Sequence, residues 1–183
     1  MITNCIITYL AMVGGFTTGL TPGADQVQIL NICTQYIPTE AYKYADLYYE
    51  FYDQENIETA IKITYCESRF KKDAFRAKDD DSGLKQFIPS TWNWIAEKNN
   101  LPKFDEYVIL RHGRPYTKQE VSKSSYGFEQ IKAQYSPYYN LLFGSILAED
   151  TYSKVTWRDW DSSKWCWGDK DMFNNILRRE NAG

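Results

Sequence analysis

The stretch Tyr65-Cys66-Glu67-Ser68-Arg69-Phe70 constrains this chain more than any other. It closes an apolar helical run whose inner side is marked by Ile57, Ala60, Ile61 and Thr64. Ala60, Ile63 and Glu67 are spaced i, i+3 and i+7, so a carboxylate projects on or near the buried face of that helix. Lys71 to Asp81 is polar and reads as a loop, with Asp79-Asp80-Asp81 near its tip. Next comes Ser82-Gly83-Leu84-Lys85-Gln86-Phe87-Ile88-Pro89-Ser90-Thr91-Trp92: a Gly-led turn, an amide, a proline and a helix start. Any fold of this chain has to accommodate an acid at a helix end and a tight polar-aromatic turn soon after it.

The 183 residues fit one compact domain or one domain with a small extension, long enough to bury a core. Aromatic residues make up 16%, with 15 Tyr and 6 Trp, side chains that combine a large face with a polar tip. The net charge of −3 offers no electrostatic footprint for nucleic acid. The four cysteines, Cys5, Cys33, Cys66 and Cys166, form no CxxC pair, and His112 is the single histidine, which argues against a structural zinc site. A His-based hydrolase would have to use His112, whose Arg-His-Gly-Arg-Pro setting reads as a solvated loop. No cofactor or metal is expected.

Residues 1–37 differ from the rest. Cys5 to Phe16 is mostly apolar but too short to span a bilayer, and no basic residue occurs before Lys43. Gly14, Gly15, Gly19, Pro22 and Gly23 are expected to break regular structure. The segment reads as an N-terminal arm or extension, or as an atypical signal; the main domain is expected over 38–183. Thr39 and Asn56 are candidate helix caps, and Tyr42, Ala45, Tyr48, Tyr49 and Tyr52 recur at helical spacing. Ser90 is a candidate cap for a helix through Trp92, Trp94 and Ile95. Residues 99–137, with Pro102, Gly113, Pro115, Gly127 and Pro137, read as a long, partly helical insertion. Residues 138–152 are again helical, with Tyr139, Leu142, Phe143, Ile146 and Leu147 on one side. The tail alternates Trp157, Trp160, Trp165 and Trp167 with polar residues. The expected class is mainly α, with a short hairpin around 76–88.

Breaking a glycosidic bond needs a proton on the leaving oxygen, and a carboxyl group supplies it near neutral pH when its pKa is raised. Apolar burial and the negative end of a helix dipole both act in that direction, and Glu67 is placed to feel both. Gln86 and Thr91 could offer hydrogen bonds to a sugar, while Phe87 and Trp92 could pack beside the site.

Glu67-Ser68-Arg69-Phe70 followed by Gly83-Leu84-Lys85-Gln86-Phe87-Ile88-Pro89-Ser90-Thr91-Trp92 resembles the lytic transglycosylase and lysozyme-like family, which carries a Glu-Ser-x-Phe element and then Gly-Leu-x-Gln-Phe-x-Pro-x-Thr-Trp. Pro137-Tyr138-Tyr139-Asn140-Leu141, with Gly144 and Leu147, resembles the Asn-bearing helix near the end of that domain. The likeness is strong over 66–92, weaker over 58–65 and 137–168, and absent over 1–50. It implies a lysozyme-like, mostly helical fold and peptidoglycan glycan strands as substrate. It implies that Glu67 is the catalytic acid and base: it protonates the leaving oxygen, then takes the proton of the muramic acid 6-hydroxyl as a 1,6-anhydro ring closes. Ser68 and Gln86 would support the acid and contact sugar.

Two departures stand out. Lys85 occupies a usually apolar position, facing cleft or solvent, and the Ala-Tyr-Asn-x-x-Gly element is replaced by the Trp-rich tail. A hydrolysing lysozyme or endolysin therefore remains an alternative, with Asp81 as second carboxylate; the plainer reading of Asp79-Asp80-Asp81 is a solvated turn. A further alternative is an inactive lysozyme-like structural or glycan-binding part of a tail or secretion machine. The resemblance also implies that Cys66 and Cys166 lie together as a disulfide, against the alternative of two buried thiols; Cys5 and Cys33 form a second candidate pair. Such a protein acts in the periplasm or at the extracellular wall, or is carried in a phage virion, with residues 1–37 suited to binding virion or secretion-machine components.

Overall fold

A computed structural model describes residues 2–17, 33, 36–116, 127–149 and 156–181. The chain is mainly helical with small antiparallel sheets, as the sequence predicts. It divides into two compact units: Met1–Cys66 with Trp160–Gly183, and Glu67–Asp159.

In the first unit, helix α1 (Ile2–Thr17) buries Ile2, Cys5 and Ile6 and packs against α2 (Ala45–Phe51). Gly14 and Gly15 do not break it: the helix runs through both, because its hydrogen-bonded ladder tolerates glycine at a modest entropic cost. Gly19, Pro22 and Gly23 lie outside the described residues. Cys5 is bonded to Cys33, with Cα atoms 5.7 Å apart, so the second candidate pair forms. Thr39 is not a cap: Pro38 occupies that position, and Thr39–Tyr44 is a 3-10 turn leading into α2. Ala45, Tyr48 and Tyr52 face inward, whereas Tyr49 is 59% exposed.

Helix α3 (Ile57–Ser68) buries Ile57, Ala60, Ile61, Thr64 and Ser68, the i, i+3, i+4, i+7 stripe of an amphipathic helix. Glu58 and Lys62 pair across one turn at 2.9 Å. Cys66 is bonded to Cys166, with Cα atoms 6.0 Å apart, and neither disulfide partner is left as a thiol. Tyr65 meets Phe173 edge-on at 5.4 Å between centroids. The Trp-rich tail is helical, with α6 (Lys164–Trp167) and α7 (Lys170–Asn181); Trp160 is buried and Trp165 is 65% exposed. Among the described residues no helix is long and apolar enough to cross a membrane.

In the second unit, α3 ends because Arg69 and Phe70 both turn left-handed, at φ 53° and 59°. The expected hairpin forms from β1 (Phe75–Arg76) and β2 (Asp81–Ser82), paired Phe75 with Ser82 and Arg76 with Asp81. Helix α4 (Pro89–Asn99) begins with Pro89 in its first turn and Ile88, not Ser90, at the cap; proline there gives up a donor that would have no helical partner anyway.

Among the described residues of 99–137 the strands were not foreseen: β3 (Tyr107–Arg111), β4 (Arg114–Pro115) and β5 (Phe128–Lys132) form an antiparallel sheet in the order β4-β3-β5, and the helical part is the 3-10 turn Ala133–Tyr135. The physical reason lies in two signals. Val108 and Leu110 are inward and their neighbours outward, a period-two pattern, and His112-Gly113 both adopt positive φ, at 51° and 78°. That is the two-residue turn whose twist matches antiparallel strands. His112 is exposed at its tip, as a solvated loop residue.

Helix α5 (Pro137–Glu149) carries the core of this unit. Phe143 stacks on Trp92 at 3.8 Å between centroids, and Phe87 meets both edge-on. The buried face is offset from the expected stripe: Phe143 and Leu147 are buried together with Asn140, Leu141, Gly144, Ser145 and Ala148, whereas Tyr139, Leu142 and Ile146 are half-buried.

Candidate active site

Glu67, Arg76, Asp81 and Lys85 all belong to the Glu67–Asp159 unit. Glu67 sits in the last turn of α3 with its side chain 8% exposed. The Arg76 guanidinium on β1 approaches its Oε2 to 4.0 Å and donates to Oδ2 of Asp81 on β2 at 3.2 Å. One cation thus bridges the two carboxylates that the sequence singles out. Asp81 is not in a solvated turn. It is buried, and burial raises its carboxyl above the usual range, with Asp79 and Asp80 adding to the rise and Arg76 opposing it. Asp79 and Asp80 are exposed.

The turn after the hairpin is fastened to the helix end. Ser68, beside Glu67, donates from Oγ to the Leu84 carbonyl at 2.8 Å. Gly83 is left-handed at φ 78°, and a Cβ there would overlap the Asn140 amide and the Gln134 carbonyl, so glycine is required. Asn140 accepts from the Lys85 backbone N–H at 2.8 Å and donates to the Gln134 carbonyl at 2.9 Å and the Ser82 carbonyl at 3.4 Å. Gln86, itself left-handed at φ 53°, donates from Nε2 to the Gly83 carbonyl at 2.9 Å and the Ala74 carbonyl at 3.2 Å.

These bonds sort the remaining candidates. Ser68 and Asn140 are buried and engaged with backbone, so they hold the turn in place and do not line a sugar surface. Phe87 and Trp92 are buried beneath the turn, and the Trp92 indole donates to the Pro102 carbonyl at 2.9 Å. Gln86 and Thr91 are partly exposed; the Gln86 amide nitrogen is committed to backbone, which leaves its carbonyl oxygen as the part suited to a ligand. The Cys66–Cys166 disulfide is anchored one residue before the acid.

Lys85 departs most from expectation. It faces neither open cleft nor solvent: its exposure is 0%. Its Nζ lies 5.6 Å from the Trp157 ring centroid. Burial pulls its ammonium down to about 7, and the Glu67 carboxylate opposes that fall. Arg76 and Lys85 are the site residues that sequence reasoning did not assign. Arg76 sits five positions before Asp81 across a short turn, a spacing that suits a cross-strand pair once a hairpin is assumed. Lys85 was visible as a charge inside an apolar motif.

No family model matches this chain, and neither a curated protein nor a solved structure matches it.

Proposed function

We propose that this chain cleaves peptidoglycan glycan strands at the MurNAc-GlcNAc β-1,4 bond, as a glycosidase of the lytic transglycosylase type with Glu67 as acid and base. One observation carries this reading. A nearly buried carboxyl ends a helix, faces charged partners on a hairpin, and abuts a turn that Ser68 and Asn140 lock in place. Glu67 donates its proton to the glycosidic oxygen as the C1–O bond breaks. The resulting carboxylate takes the proton of the 6-hydroxyl as O6 bonds to C1, which returns the acid to its starting state without an outside water. Two disulfides suit an oxidising site of action such as the periplasm or the cell exterior, and carriage within a phage virion through residues 1–37 is part of the proposal.

A second reading, hydrolysis with Asp81 as the group that positions water, is favoured by one feature: Asp81 is buried and linked to Glu67 through Arg76. Release of soluble fragments from purified cell-wall sacculi by wild type, Glu67→Gln and Asp81→Asn separates the two. The transglycosylase reading expects no release by Glu67→Gln and retained release by Asp81→Asn. Loss in both variants favours hydrolysis, and no release by wild type contradicts both.

A further inference from the structure

Side chains alternate along a strand, so the β1–β2 hairpin offers different residues on its two faces. On one face Arg76 pairs with Asp81 and approaches Glu67. The neighbouring cross-strand pair, Phe75 and Ser82, lines a cleft of about 570 Å³ on the other. Asp105, Lys132 and Gln134 form its far wall, within the same compact unit. The Asp105 side chain is 58% exposed, and an exposed carboxylate is ordinarily free to turn. Here it is fixed. The buried Gln134 amide accepts from the Asp105 N–H at 3.0 Å and donates to Oδ1 at 2.9 Å. The Lys132 ammonium donates to the same oxygen at 2.7 Å, and Oδ2 is left as an acceptor. These two donors, Lys132 first and Gln134 second, hold the carboxyl below its usual range. The Gln134 carbonyl in turn accepts from Asn140, which holds the turn beside Glu67. Asn93 on α4 spends its carbonyl oxygen on the Phe104 N–H at 2.8 Å, which leaves its amide nitrogen as a donor in the cleft. Phe75, 56% exposed, adds an apolar ring.

We propose that this cleft is a second saccharide site, which holds a glycan strand on the face of the hairpin opposite Glu67. A sugar chain calls for what the cleft offers: a ring for its C–H face, a fixed carboxylate oxygen to accept from hydroxyls, and amide and ammonium donors for hydroxyl or N-acetyl oxygens. Other ligands fit less well. Asp80 and Asp105 repel a phosphate, and Lys132 already spends its charge on Asp105. Among the described residues no cluster of acidic, histidine or cysteine side chains is suited to a metal ion. A purely apolar ligand would leave the fixed Asp105 oxygen and the Asn93 amide without partners. That the sugar belongs to peptidoglycan rests on the reading of the chain as a wall-cleaving enzyme. A polymer gripped at the cleft stays near Glu67 between cuts, because the second contact is then intramolecular.

The test titrates the full wild-type chain with a tetramer of β-1,4-linked N-acetylglucosamine and follows backbone amide shifts by NMR. The expected result is shifts at Phe75, Asn93 and Asp105, with an affinity that falls about tenfold or more in Phe75→Ala and in Asp105→Ala. Both side chains are exposed, so neither change opens a cavity in the core. Where a variant folds poorly, the wild-type shift map decides. No binding, shifts confined to residues around Glu67, or full affinity in either folded variant overturns the proposal. A wild type that binds the tetramer at the cleft but releases nothing from sacculi keeps the second site and contradicts the enzymatic reading. A wild type that releases fragments while the cleft shows no shift does the reverse.

Discussion

The Arg76 guanidinium stands 4.0 Å from the Glu67 carboxylate while it donates to Asp81 at 3.2 Å. A cation in this position favours the ionised form of the acid, so it works against proton donation and in favour of the later proton capture. Replacing it with the neutral amide in Arg76→Gln should let Glu67 hold its proton to higher pH. The alkaline limb of the pH–rate profile on peptidoglycan is expected to move upward, and the Asp81 carboxyl, already raised by burial, should rise further. A profile that shifts downward would contradict this arrangement of charges.

Lys85 makes a prediction about stability that needs no substrate. Its folded-state pKa of about 7 lies below the ordinary 10.5. Between those values the unfolded chain binds more protons than the folded one, so this group makes stability rise with pH across that window. The difference in unfolding free energy between wild type and Lys85→Met, from denaturant titrations at about pH 7 and about pH 10, should move in favour of wild type at the higher pH. An unchanged difference would mean that Lys85 titrates normally in the fold.

The turn that faces the acid depends on Gly83 and Asn140. Gly83→Ala forces an L side chain into a left-handed conformation and against the Asn140 amide. The conformational part alone costs about 1–2 kcal/mol. Asn140→Ala removes an acceptor from the Lys85 N–H and a donor from two carbonyls in a buried setting, at a cost of about 2–3 kcal/mol. Both variants should unfold at lower denaturant and cleave more slowly, because the loss reaches the turn that Ser68 ties to the end of α3 beside Glu67. The midpoints of guanidinium unfolding check the first effect directly.

The two disulfides differ in what they enclose. Cys66–Cys166 closes a sequence separation of 100 and Cys5–Cys33 one of 28. In the chain-entropy account the larger loop contributes about 4–5 kcal/mol and the smaller about 3–4 kcal/mol. Cys66→Ala with Cys166→Ala should therefore lower Tm more than Cys5→Ala with Cys33→Ala, measured by calorimetry without reductant.

What could be read from the residues divides along physical lines. The stripe of Ile57, Ala60, Ile61 and Thr64 carried Glu67 to the inner side of α3 because helical periodicity is a local property. The hairpin beside it was legible for the same reason, since Gly83 and the polar run before it mark a turn. The sheet of β3, β4 and β5 was hidden by prolines and glycines that read as loop, although His112-Gly113 is a hairpin turn and Val108 and Leu110 alternate inward. The site was legible only in part. Glu67 and Asp81 stood out as carboxylates, but their bridge through Arg76 depends on a cross-strand register that sequence spacing leaves open. Asn140 stood out too, yet its task of holding Ser82, Lys85 and Gln134 together is a long-range contact with no local signature. The burial of Lys85 follows from where the chain is tied at Leu84 and Asn140, and no residue-by-residue preference points to it.

The central claim is that Glu67 breaks the glycan strand and also closes the anhydro ring. The most direct measurement is mass spectrometry of the soluble products from purified peptidoglycan, with wild type and Glu67→Gln side by side. Wild type should yield anhydro-ended muropeptides and Glu67→Gln none, because its amide keeps the shape but cannot shuttle a proton. The same anhydro products from Glu67→Gln, or reducing ends from wild type, would contradict it.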